Sequence, residues 1–143
     1  FGYMLLTSNV HDDNDVWSRT ASTKSLVRKV AKIKNINERD ISGEDVFQWA
    51  EEGDSDCQRA IDEFYHLLAV GIYNLQYIYD PEIILIGGGI SARNDLIPKI
   101  NEKLDIILSK LTLPKIKPQI GVCKYRQNAN LLGAVYGLIN KFK

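Results

Sequence analysis

Hydrophobic positions recur at intervals of three and four along most of this chain. From Ser22, the residues Leu26, Val27, Val30 and Ile33 form one helical stripe. Lys24, Arg28, Lys29, Lys32 and Lys34 cover its other face and read as a solvated surface. Ser42, followed by Glu44 and Asp45, marks a second helix start. Val46, Phe47, Trp49 and Ala50 are its short apolar face, and Gly53 ends it. The longest stripe runs from Cys57 through Phe64, Leu68 and Leu75 to Tyr79. Ser55-x-x-Gln58 reads as a capping box at its start, and Pro81 stops it. At ~1.5 Å per residue this helix is roughly 36 Å long. Gly71 in its middle costs about 1 kcal/mol against Ala, which predicts close approach by a neighbouring helix or strand. Leu96, Ile97, Ile100, Leu104, Ile107, Leu108 and Leu111 repeat the pattern over 94–111. After a proline-bounded connector, Leu113-Pro114 to Pro118, a last helix is expected over Ala129 to Phe142. Its Gly133 and Gly137 offer a small-residue surface suited to close packing on a strand or a ligand loop.

Three stretches read as strands: residues 1–6, 82–86, and Gln119 to Lys124 with Ile120 and Val122 inward. The order β-α-α-α-β-α-β-α places the chain in the α/β class. Its 143 residues are enough for a single core, so one domain over residues 1–143 is expected. The chain opens on the apolar run Phe1 to Leu6 without an initial Met, so a piece of a longer protein is expected.

Charge adds exclusions. Lys plus Arg and Asp plus Glu both number 18. Without a basic stripe, nucleic acid is not expected as a partner of this chain. No apolar run reaches the ~20 residues of a membrane span. Cys57 and Cys123, with His11 and His66, make no zinc spacing, so no metal site is expected. Buried free thiols fit a reducing, cytoplasmic setting.

The candidate chemistry lies in Asp80-Pro-Glu-Ile-Ile-Leu-Ile-Gly-Gly-Gly-Ile-Ser91, read as strand, glycine turn and helix. Three glycines let backbone come close to a ligand or adopt angles that a Cβ forbids. Main-chain N–H groups converge in such turns, which suits nucleotides. Gly87-x-Gly89-x-x-Ala92 also fits the dinucleotide fingerprint. That reading needs an acid at the end of the next strand, about 20 residues on. Asp105 falls inside the expected helix instead, so the dinucleotide reading is set aside.

Together, Leu68-Ala69-Val70-Gly71-Ile72-Tyr73-Asn74-Leu75, the Asp80 to Ser91 segment, and Asn130-Leu131-Leu132-Gly133-Ala134 closely resemble the C-terminal half of the ROK family (repressors, open reading frames and sugar kinases). The resemblance implies one lobe of an actin/hexokinase-like, ribonuclease H-like ATPase fold, with a mixed sheet packed by helices. It implies an ATP-dependent kinase of a hexose or amino sugar, working with Mg2+. The alternative is a sugar-sensing repressor or non-catalytic binding module. It implies that Gly87, Gly88 and Gly89 approach the nucleotide, and that the protein is a homodimer completed by its own N-terminal lobe.

The departures are specific. In the family, a Gly-Glu-x-Gly-His run supplies sugar contacts. Phe1-Gly2-Tyr3 looks like its end, with Tyr3 in place of His. Residues 4–22 hold no Cys, so the family's cysteine-rich zinc site is not expected. If Ala21-Ser22 matches the family's Ala-Ser pair, Ser18 replaces a sugar-binding Glu. Tyr3 and Ser18 are therefore the candidate sugar contacts, with the sugar unnamed; Tyr3 also reads as a packed aromatic. The phosphate-binding Asp-x-Gly-Gly-Thr turn and the catalytic Asp belong to the other lobe. No catalytic residue is expected here, and the chain alone is expected to be inactive as a kinase.

Overall fold

The structure is a computed structural model that describes residues 1–113, 116–125 and 128–141. Pro114, and Phe142 at the expected end of the last helix, lie outside the described residues. The chain divides into two compact units, Phe1–Gly71 and Ile72–Lys143.

The first unit is helical. A 3-10 turn at Asp13–Asp15 leads to α1 (Trp17–Thr20), α2 (Thr23–Lys34), α3 (Gly43–Glu51) and the start of α4 (Ser55–Tyr79). Reciprocal caps set the starts of α2 and α3. Ser25 donates its N–H to Ser22 Oγ at 3.2 Å, and Ser22 donates its own to Ser25 Oγ at 3.0 Å. Ser42 and Asp45 pair in the same way. Asn35 takes the left-handed conformation that closes α2, with φ 53°. The expected cap of α4 is corrected. Ser55 is already helical, and Asp54 accepts the Cys57 N–H at 2.9 Å. Gln58 turns outward to donate to the Ala50 carbonyl. The shorter Asp54 carboxylate reaches the free N–H groups first.

Leu26, Val30, Val46, Phe47, Phe64 and Tyr65 are buried in this unit. Tyr65 meets Phe47 and Phe64 edge-on, at 6.4 and 5.4 Å between ring centres. Gly71 has the role its position predicted. A Cβ there would collide with the indole of Trp17, whose Nε1 donates to the Leu67 carbonyl at 3.1 Å. The glycine admits a ring from α1 against the α4 backbone.

Residues 1–6 do not form the expected strand. Among the described residues they make one isolated antiparallel bridge, Leu5 with Val16, and the Gly2 and Met4 carbonyls accept from Ser18 and Trp17. With no further neighbouring strand among the described residues, the ladder does not extend.

In the second unit, α4 ends at Tyr79, and Asp80 adopts φ 45° before Pro81. Buried Gln76 donates to Asp80 Oδ1 at 3.0 Å, which fixes the turn toward the next strand. β1 (Ile84–Ile86) and β2 (Ile120–Val122) pair in parallel, Ile84 opposite Ile120 and Ile86 opposite Val122. Both are shorter than expected. α5 (Leu96–Ser109) makes the crossover that a parallel pair requires, and buries Leu96, Ile100, Leu104 and Leu108. Val122 is exposed rather than inward, and Ile120 is half-buried, because a two-stranded sheet leaves a face uncovered.

α6 (Ala129–Lys141) buries none of its residues. The small surface at Gly133 and Gly137 packs on nothing described, since a Cβ at either would meet only open space. No described helix is long and apolar enough to cross a membrane.

Candidate functional site

The glycine turn is built by the elements on either side. β1 delivers the chain to Gly87, and a 3-10 turn over Gly89–Ala92 leads it away. Gly88 joins them with φ 85° and ψ 179°, a conformation reserved for glycine. Ser91 locks the turn from below. It is buried, and both its N–H and its Oγ donate to the Gly88 carbonyl, at 3.1 and 2.6 Å. Arg93 then forms a two-pronged ion pair with Asp95, at 2.8 and 2.9 Å. That pairing holds the Asp95 carboxyl below the usual carboxylate range.

A Cβ at Gly88 or Gly89 would meet no atom within 4 Å. The turn is thus rigid on its inner side and bare on its outer side. Leu85 of β1, two residues before Gly87, lines a cavity of about 550 Å³ together with the segment after β2 and α6. Leu85, Tyr125, Ala129, Leu132, Gly133 and Tyr136 are among its walls. The volume is that of an ordinary small-ligand site, which spans about 300–1,000 Å³. Gly133 widens the cavity on the helix side. Sequence reading missed these walls. The signal was available in α6, which carries Leu131, Leu132, Val135, Tyr136, Leu138 and Ile139 on more than one face.

The first unit brings Tyr3 and Ser18 together. Ser18 donates its N–H to the Gly2 carbonyl at 2.9 Å, and Trp17 donates to the Met4 carbonyl at 2.7 Å. Tyr3 sits between those two acceptors and is 89% exposed. The packed-aromatic reading of Tyr3 is therefore corrected; its ring is available to a ligand. A Cβ on Gly2 would stand 3.0 Å from the Ser18 Cβ, so glycine there permits the close pairing. Ser18 also lines a smaller cavity of about 210 Å³ at the start of α2.

His11 is exposed. Among the described residues, no group of three or more His, Cys, Asp or Glu side chains could hold a metal ion. Cys57 is buried, and burial pushes its thiol up to about 11, with the neighbouring Asp54 adding to the effect. It is a packed, unreactive thiol at neutral pH.

The ROK family profile matches residues 14–141. A beta-glucoside kinase of Listeria monocytogenes is 31% identical over 143 residues, 99% of this chain and 47% of that protein. The chain thus spans about half the length of the curated relatives it matches. A ROK family protein from Streptococcus pneumoniae, solved in complex with sucrose, superposes with a TM-score of 0.89 at 33% identity. That match covers 99% of this chain and 48% of that one. A ROK family glucokinase from Streptomyces griseus, in complex with glucose and AMPPNP, shares the fold. Its TM-score is 0.74 at 20% identity, over 94% of this chain and 49% of that one.

Proposed function

The chain belongs to the ROK family, and we propose that it is the C-terminal lobe of an ATP-dependent sugar kinase. Its fold is that of the actin-like, hexokinase-like α/β kinases. In this reading the lobe supplies the adenosine side of the ATP site and part of the sugar site. The observation that carries it is the bare glycine turn. Gly88 is needed for its backbone angle, but packing makes no demand for glycine at 89, where a Cβ would meet nothing. A position kept free of side chain without a packing reason suits a flat base or a ribose. The apolar cavity that Leu85 shares with α6, with Tyr125 and Tyr136 in its walls, suits the base.

Gly87, Gly88 and Gly89 are assigned to the nucleotide, and Tyr3 and Ser18 to the sugar. The exposed Tyr3 ring offers a stacking face and the Ser18 hydroxyl one donor and two acceptors. The similarity to a beta-glucoside kinase and to a sucrose-bound protein supports a sugar or glycoside as the acceptor. ATP would be the phosphoryl donor, used together with a divalent ion, as in kinases of this class. No described carboxylate cluster of this chain fits that ion, so its ligands are assigned to the N-terminal lobe. The proposed setting is the cytoplasm, and the proposed assembly a homodimer, for which the exposed Tyr77, Ile78 and Tyr79 of α4 offer apolar surface.

Saturation-transfer NMR with ATP and NAD in competition tests the nucleotide assignment. ATP protons are expected to receive saturation and NAD protons not to; preference for NAD would overturn it. A coupled ADP-release assay on the chain with several hexoses is expected to show no turnover, because the catalytic base lies outside it. Turnover would remove the lobe assignment.

A further inference from the structure

The cavity of about 210 Å³ beside Ser18 has an unusual lining for its size. Ser18, Ser22 and Ser25 supply hydroxyls, and Arg19, Lys24 and Arg28 supply cations. Two of the hydroxyls are engaged: Ser22 and Ser25 cap α2, and Ser25 Oγ donates to the Thr20 and Ser22 carbonyls. Ser18 Oγ has no hydrogen-bond partner among the described residues. Arg28 is partly neutralised by Glu38, at 3.5 Å, and donates to Asn14. Arg19 and Lys24 have no carboxylate partner among the described residues.

Arg19 and Lys24, without a carboxylate partner among the described residues and gathered with Arg28 in a concave site, attract an oxyanion. At about 210 Å³ the site lies below the ~300–1,000 Å³ range of drug-sized ligand pockets and suits a small oxyanion group. The site also has a direction. Ser18 lines it and is tied to Gly2, the chain neighbour of the exposed Tyr3. A ligand touching Tyr3 and Ser18 with one unit would extend its next unit toward Arg19, Lys24 and Arg28.

We propose that this pocket receives a carboxylate or phosphate carried on the second unit of a glycoside whose first unit meets Tyr3 and Ser18. The inference rests on the sugar assignment made above and narrows it to glycosides with an anionic aglycone or second sugar. Both oxyanions share the chemistry the pocket reads: charge-assisted hydrogen bonds from guanidinium and ammonium groups.

Calorimetry on the full chain compares phenyl β-glucoside with its 4-carboxyphenyl counterpart. The carboxylate is expected to improve affinity about tenfold at low ionic strength, and the gain to fade at high salt. The paired substitutions R19Q and K24Q, on exposed side chains, are expected to erase the gain and leave phenyl β-glucoside binding unchanged. Equal affinity for the two glucosides, or a gain that survives both substitutions, would overturn the proposal. If neither glucoside binds, the sugar assignment fails by itself, and titration with inorganic phosphate decides the pocket. Amide shifts confined to residues 18–28 in the wild type and absent in the double variant retain it as an oxyanion site; no shifts overturn it.

Discussion

Gly71 shows how far single residues were legible. A glycine in the middle of a 25-residue helix predicts an intruder, and the intruder is the Trp17 indole. Its identity was not readable, because contact between residues 17 and 71 depends on tertiary packing. Gly71→Ala is expected to destabilise by ~2 kcal/mol or more through overpacking, although propensity alone would favour Ala by about 1 kcal/mol. In a Trp17→Ala background the same change should become stabilising by about 1 kcal/mol. Urea unfolding of the four proteins checks this sign reversal. Asp54 is the second telling residue. Its hydrogen bonds from Lys34 and from the Cys57 N–H hold its carboxyl down to about 2. Because the folded value lies below the unfolded one of ~3.9, its contribution is complete above about pH 4. It is lost as pH falls toward about 2. Asp54→Asn keeps a capping oxygen but removes the charge. The stability gap between wild type and this variant should therefore close over that acidic window, read from urea midpoints at stepped pH.

At the scale of elements, helices were more legible than strands. Long stripes such as the one from Cys57 to Tyr79 repeat their signal over many turns, and α4 ends where Pro81 predicted. The opening run 1–6 carries a strand-like composition, yet composition does not provide a neighbour to pair with, and only Leu5 bridges. The α4 cap was misplaced by one residue because Ser55 and Asp54 are both good caps and only geometry separates them. The glycine turn was read correctly as strand, turn and helical start, but its glycines are not equivalent. Gly88→Ala is expected to cost about 1–3 kcal/mol, since its φ of 85° is strained for any side chain. Gly89→Ala is expected to be nearly neutral for stability, because its Cβ meets nothing. Thermal melts of the two variants distinguish these roles.

At the scale of the whole chain, the sequence motifs led to the family, and the profile match and superpositions bear this out. The candidate sites were legible unevenly. Tyr3 and Ser18 are 15 positions apart in sequence, and only the backbone pairing of residues 2–4 with 17–18 makes them neighbours. Lys24 and Arg28 read as a solvated face, because periodicity cannot show that Arg19 and three serines join them around a cavity. The walls of the larger cavity come from β1, the segment after β2, and α6, so no local pattern gathers them. The glycine turn at 87–89, open around Gly88 and Gly89, is proposed to admit a nucleotide. Gly89→Val tests it, since its Cβ would enter open space and its branches would project into the space assigned to the nucleotide. Titration of wild type and variant with ATP, together with their thermal melts, is the measurement. Melting within a few degrees of wild type is expected, with a loss of ATP affinity of tenfold or more, on the order of 1.4 kcal/mol. Unchanged ATP affinity in a folded Gly89→Val variant would contradict it.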